Sequence, residues 1–246
     1  MTMSIRILQG LGVLALLLFL LNRPTIFSPL GTYSTVTPVE NKAVGTDKIL
    51  GVDVSHQQGE IDWQQVAKAG VSFAYLKATD GITYQDPAFL TYAASIARTT
   101  MLVGAYHFFE AEDDPIAQAE NFIKHVKSVN MSLTPMVDVE VTKGQTPQTI
   151  ASRLQVFLQY INASLGCKPI IYSSRNFWSA DIGPAFNSYS FWLAEYNPEL
   201  ILPKDIKNVV MWQYSDKGQI AGVSQAVDLD KAINAPQGLE LLKCKY

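Results

Sequence analysis

The chain has 246 residues, 48% of them apolar and 17% charged, which calls for a globular core and excludes a disordered chain. A formal net charge of −3 excludes the basic surface from which nucleic-acid binders draw most of their affinity. The two cysteines, Cys167 and Cys244, come without a CxxC pair or a His-rich cluster, so neither a zinc framework nor another metal or cofactor motif is indicated.

The first segment is set apart from the rest. Residues 7–21 are uncharged and Leu-rich, and Arg6 and Arg23 flank them. They predict a hydrophobic helix within residues 1–22, a signal or a membrane anchor. No small-x-small cleavage site follows, which favours the anchor and would tether the protein to the membrane. Either form exports the remainder, to face the periplasm or cell exterior, or to be secreted if the segment is cleaved. Residues 23–47 are rich in Pro, Thr, Ser and Asn and read as a linker. Residues 48–246 form the folded domain.

From residue 49 strands and helices alternate. Residues 49–54 read as a buried strand. Residues 62–69 read as a helix capped by Asp62 and stopped at Gly70. Residues 71–78 give the second strand. Residues 86–97 give a helix with Asp86 as cap and Pro87 in its first turn. Residues 101–109 give the third strand, and residues 114–129 repeat the Asp-Pro helix start. Residues 134–139 are the fourth strand. Residues 147–165 form a long helix with an apolar stripe at Ile150, Leu154, Phe157, Leu158 and Ile161. Residues 168–172 are the fifth strand. Beyond it the helices shrink, and strands follow at 190–194, at 209–214 and near Val227. Such alternation implies a parallel sheet with helices outside it. About eight strands favour a closed, irregular TIM-like α/β barrel, in which the chemistry gathers at the carboxyl ends of the strands. The cysteines lie so that a bridge would tie the C-terminal tail to the barrel; two free thiols are the alternative.

The densest chemical signal is Pro135-Met136-Val137-Asp138-Val139-Glu140. On a strand, side chains at i and i+2 share a face, about 6.6–6.8 Å apart along the chain. Two acids at the end of an apolar strand are costly unless they have a chemical task, because desolvated carboxylates are expensive. One such task is glycoside hydrolysis, which needs an acid for the leaving oxygen and a second group for the cationic sugar. Asp53 and Asp228 fall at other strand ends of the same rim, and Asp230 competes with Asp228 for its place. Mutual repulsion among such acids would raise at least one pKa, as a general acid requires. The short Asp138–Glu140 spacing leaves little room for the water of an inverting reaction and suits an acid beside a group that orients a substrate acetamide. Tyr106, Tyr172, Trp192, Tyr196 and Trp212 are candidate walls for sugar rings, and Gln213 a candidate hydrogen-bond donor. His56 and His107 are better placed as hydrogen-bonded barrel residues than as a metal pair.

Eight short segments in order carry a resemblance. They are Gly51-Val52-Asp53-Val54-Ser55-His56, Lys77-Ala78-Thr79-Asp80-Gly81, Gly104-Ala105-Tyr106-His107-Phe108, Asp138-Val139-Glu140, Ile171-Tyr172-Ser173, Trp192-Leu193-Ala194-Glu195-Tyr196, Trp212-Gln213-Tyr214 and Val227-Asp228-Leu229-Asp230. Over residues 48–234 the chain resembles the glycoside hydrolase family 25 lysozymes, the Chalaropsis-type N-acetylmuramidases. That resemblance implies a barrel of five strand–helix units followed by three strands. It implies cleavage of the β-1,4 bond between N-acetylmuramic acid and N-acetylglucosamine in peptidoglycan. Glu140 matches the family's general acid, Asp138 the residue that stabilises the acetamido group or the oxocarbenium ion, and Asp53 and Asp228 the further cleft acids. The sequence departs from the family at Gln57, where an aromatic is usual, and at Asp80, where Glu is usual. A catalytically silent peptidoglycan-binding module and a chitinase-like hydrolase are the competing readings. No feature of the sequence sets an oligomeric state.

Overall fold

A computed structural model describes residues 49–234 and 237–246. The hydrophobic segment at residues 7–21 and the linker lie outside these residues. Among the described residues no helix is long and apolar enough to cross a membrane.

The strands are β1 (Leu50–Val54), β2 (Val71–Asp80), β3 (Tyr84–Gln85), β4 (Leu102–Phe108), β5 (Met136–Asp138), β6 (Ile170–Ser174), β7 (Ser190–Ala194), β8 (Val209–Gly218) and β9 (Val227–Ala232). The helices are α1 (Trp63–Lys68), α2 (Phe89–Ile96), α3 (Pro115–Val126), α4 (Pro147–Leu165), α5 (Arg175–Phe177) and α6 (Gln237–Glu240). Strands β1, β2 and β4 to β8 pair parallel in that order. β9 runs antiparallel between β8 and β1 and closes an eight-stranded barrel. A short reversal from β8 supplies it without a crossover helix, as antiparallel pairing permits. β3 is a two-residue addition that folds back on the end of β2.

Strand alternation separates two cores. Val52, Val54, Ala74, Leu76, Val137 and Val139 point outward and pack under the helices. Phe73, Tyr75, Tyr106, Met136, Ile170, Tyr172, Trp192 and Met211 fill the barrel interior. Two glycines make room for the interior rings. A Cβ on Gly51 would stand 2.1 Å from the Phe73 ring, and one on Gly104 2.4 Å from the Tyr75 ring.

Helix starts follow the sequence signals with one exception. Asp62, Asp114 and Thr146 cap α1, α3 and α4, and Pro115 and Pro147 occupy first turns. All five residues of the α4 stripe are buried. Asp86 does not cap α2, which starts at Phe89 behind Ala88 and has no side-chain cap. Its carboxylate instead accepts from the His56 backbone N–H, the Ala88 N–H and the His56 ring. The fifth strand–helix connection is α5 followed by a π-turn and a 3₁₀ turn rather than one long helix.

The C-terminal tail closes the barrel end opposite the strand carboxyl termini. Leu239 and Leu242 belong to the interior core, Thr134 N–H donates to Leu242 (2.7 Å), and Cys244 N–H donates to Ser132 (3.1 Å). Cys167 and Cys244 are bonded, with Cα atoms 6.0 Å apart. Of the two states open to the cysteines, the bridge is the one found.

Candidate active site

The four acids singled out in the sequence converge at the carboxyl end of the barrel. Val137 and Val139 are wholly buried in the outer core, so Asp138 and Glu140 take the other face. β1 and β9 bring Asp53 directly opposite Asp228. Asp138 stands beside Phe108 on one side and Tyr172 on the other. Asp53 and Asp138 are buried, Asp228 is half-buried, and Glu140 is exposed at the rim.

Electrostatics follow from this crowding. Burial, then the charge of Glu140 and of Asp53, hold Asp138 well above the usual carboxylate range, with Lys77 opposing. Burial and then Asp228 raise Asp53 well above it, although a hydrogen bond from Gln213 works the other way. Asp228 is pushed up to about 6, chiefly by desolvation. Glu140 has surface in solvent, yet protein crowds its carboxyl on the cleft side. That desolvation raises its pKa against the opposing hydrogen bond of Tyr172 and the charge of Lys77. Among the described residues Asp138 Oδ1 has no hydrogen-bond partner. An orphan buried acceptor costs about 1–3 kcal/mol, so this one represents stability given up at the site.

The remaining candidates divide. Tyr196 is half exposed and borders the cleft, its hydroxyl donating to Gln213 Oε1 at 2.6 Å. Tyr106 and Tyr172 are buried in the floor, and the Tyr172 hydroxyl donates to the same Oε1 at 2.8 Å. Trp192 is not a wall. It has no exposed surface and packs edge-on against Tyr75 and Tyr172 inside the barrel. Trp212 is not a wall either. Gln213 points inward, so its neighbour points out, where Lys231 lies over the Trp212 and Tyr214 rings. Gln213 is buried with its amide committed: Nε2 donates to Asp53 Oδ2 at 2.7 Å while Oε1 serves the two tyrosines. It is a bracket beneath the acids and has no face toward the cleft. Both histidines hydrogen-bond, His56 to Asp86 and His107 to Thr79 and Gln118. Among the described residues no group of three His, Cys, Asp or Glu is arranged to hold a metal ion. Gln57 is exposed, and Asp80 pairs with Lys77 at 2.7 Å.

A cavity of about 600 Å³ adjoins Glu140 and is lined by Ser174, Arg175, Asn176, Glu195, Tyr196 and Asn197. Arg175, Asn176 and Asn197 were not singled out from the sequence. They lie just past β6 and β7, on irregular connections without periodicity to mark them. Asp230 was considered only as a substitute for Asp228. The two-residue period of β9 turns both inward, and that signal was present in the sequence.

The sequence profile described as Glycosyl hydrolases family 25 matches residues 52–223. The chain belongs to that family. A family 25 glycosyl hydrolase from Bacillus anthracis superposes with a TM-score of 0.74 at 28% identity, over 80% of this chain and 94% of that one. The autolytic lysozyme of Clostridium acetobutylicum is 31% identical over 181 residues, 74% of this chain and 55% of the relative's length. Lysozyme M1 of Streptomyces globisporus is 30% identical over 201 residues, 76% of this chain and 68% of its own. The chain thus spans about half of the clostridial relative.

Proposed function

We propose that the chain is a muramidase, cleaving the β-1,4 bond between N-acetylmuramic acid and N-acetylglucosamine in peptidoglycan. The observation that carries this reading is one rim bearing Asp138 and Glu140 on a single strand face beside a cavity, with Asp53 and Asp228 opposite. Family membership and the lysozyme names of its relatives support it.

In the proposed reaction Glu140 donates a proton to the leaving glycosidic oxygen. Its raised pKa keeps that proton available, and its exposure at the rim lets it reach the bond. Asp138, deeper and orphaned at Oδ1, accepts from the N–H of the 2-acetamido group and so aims the acetamide oxygen at the anomeric carbon. Asp53 and Asp228 set the negative field for the cationic sugar. Tyr196 flanks a sugar ring, with Tyr106 and Tyr172 as the floor. Residues 48–246 are the catalytic barrel, exported behind a signal or anchor in residues 1–22 and the linker at 23–47.

The test is clearing of purified cell walls by the wild type and by Glu140→Gln, with mass analysis of the products. The wild type should clear walls and leave muramic acid at the new reducing ends, while Glu140→Gln, folded by circular dichroism, loses at least about a thousandfold. Full activity in Glu140→Gln would overturn its assignment. A wild type that sediments with walls without clearing them would make the chain a binding module. Cleavage of chitin oligomers in preference to muropeptides would move it to the chitinase-like class.

A further inference from the structure

Asp230 is a wholly buried carboxyl that the reaction above does not use. Its neighbours come from four strands. On β9 itself Asp228 lies two residues away. On β1, Asp53 is the next acid. On β7 the Trp192 indole N–H donates to Asp230 Oδ1 at 3.2 Å. On β8, Gln213 is the register partner, and its amide N–H is given to Asp53. Tyr214 on β8 and Lys231 on β9 stack together on the outer face. Among the described residues no donor reaches Asp230 Oδ2.

A buried oxygen that accepts nothing, beside a second carboxyl, is best accounted for as the bearer of a proton, since an unpaired buried charge is far costlier. The register of β9 sets Asp228 directly opposite Asp53 and Asp230 one same-face step further along, opposite Gly51, and Gln213, the register partner of Asp230, donates to Asp53 Oδ2 at 2.7 Å. The three carboxyls therefore form a row from the barrel interior to the cleft. Burial, followed by the charges of Asp53 and Asp228, raises Asp230 well above the usual range, in keeping with a proton held there.

We propose that Asp230 is a positioning residue, a neutral acid that donates its proton to Asp53 and so fixes the Asp53 carboxyl toward Asp228 and the substrate. The proposal rests on the muramidase reading for its kinetic consequences. An amide can replace a neutral acid as donor, whereas a methyl cannot. Asp230→Ala should lower kcat about 10- to 100-fold with KM within about twofold, because Asp53 loses its fixed orientation. Its acid limb should move to higher pH, since an Asp53 deprived of a donor holds its own proton more tightly. Asp230→Asn should recover at least about a third of wild-type kcat and restore the acid limb.

A readout independent of activity is the infrared carbonyl band of a protonated carboxyl. The wild-type minus Asp230→Asn difference spectrum at pH 7 should contain it. The proposal is overturned if Asp230→Asn is as impaired as Asp230→Ala, if Asp230→Ala keeps the wild-type rate and pH profile, or if that band is absent. A wild type without wall-clearing activity would refute the muramidase reading instead, and the infrared band would then decide the protonation of Asp230 alone.

Discussion

Two buried polar clusters lie within one barrel and have opposite characters. On the outer side, His107 is wholly buried, stacked on Phe157 with centroids 5.0 Å apart. Its ring bonds Thr79 at 2.8 Å and Gln118 at 3.1 Å, and Gln118 in turn holds both the N–H and the carbonyl of Glu110. Since Gln118 Oε1 can only accept, Nε2 carries the hydrogen and Nδ1 accepts from Thr79. Every polar atom of the ring is used, and the neutral form is favoured: burial lowers the pKa to about 4. At the cleft, by contrast, Asp53, Asp138, Asp228 and Asp230 crowd together, and Asp138 and Asp230 each keep an oxygen without a donor among the described residues. Fully satisfied polar clusters hold a fold together. Like-charged, partly satisfied ones cost stability and persist where chemistry needs them.

The largest effect that follows is at Asp138. Asp138→Asn should lower wall hydrolysis about 10²- to 10³-fold, the range for loss of one preorganised electrostatic group. The same change should stabilise the protein at pH 7. A carboxyl whose pKa is raised by folding contributes most stability below its unfolded value and loses it as pH rises through the folded value. The asparagine does not titrate, so the gain should be about 1 kcal/mol, or about 2–4 °C in Tm, at pH 7 and should shrink toward pH 4. A variant that loses activity and stability together at pH 7 would break the contrast between the clusters.

Next in size is the bridge at the closed end. Cys167–Cys244 closes a loop of 77 residues beneath the barrel, away from the acids. Its removal in the Cys167→Ser/Cys244→Ser variant should cost about 2–4 kcal/mol in denaturant unfolding, with kcat and KM of the folded protein unchanged. A third, smaller change separates the clusters by the sign of their pH dependence. His107 has a depressed pKa, so its contribution is present above pH 6.5 and is lost as pH falls toward 4. The stability gap between wild type and His107→Asn should therefore narrow by up to about 3 kcal/mol from pH 7 to pH 4. The Asp138→Asn gap also closes with acid, but there it is the variant that is the more stable partner at neutral pH.

Much of this arrangement is legible in the amino-acid sequence alone. Hydrophobic periodicity gave α4 with all its buried residues, and the Asp-Pro start gave α3. The acid pair was legible because strand period is two and its neighbours Val137 and Val139 are apolar. The rest was lost where type and position decouple. Trp192 and Tyr196 are both aromatic and belong to one short segment, yet one is wholly buried and the other half exposed. Nothing in composition distinguishes them. For Trp212 the parity with Gln213 was available, but which parity faces inward depends on how β8 is rotated against β9. Asp86 was taken for a cap from the Asp-Pro pattern, and tertiary contact with His56 claims its carboxylate instead. Arg175 and Asn197 lie on connections where no period operates.

The finest test concerns the bracket that joins the two tyrosines to the acids. Gln213 Oε1 accepts from Tyr172 at 2.8 Å in the buried floor and from Tyr196 at 2.6 Å at the open edge. Removing either hydroxyl leaves Oε1 with one donor, so the amide keeps its orientation and its bond to Asp53. The two positions differ in what water can replace. Tyr196 is 52% exposed, and solvent can fill the place of its hydroxyl, whereas Tyr172 is 6% exposed and also touches Glu140. Tyr196→Phe should therefore change KM by no more than about threefold with kcat preserved, and Tyr172→Phe should lower kcat about 3- to 10-fold, the worth of one net hydrogen bond. Equal effects at the two tyrosines would mean that the bracket, rather than access to Glu140, sets their contribution.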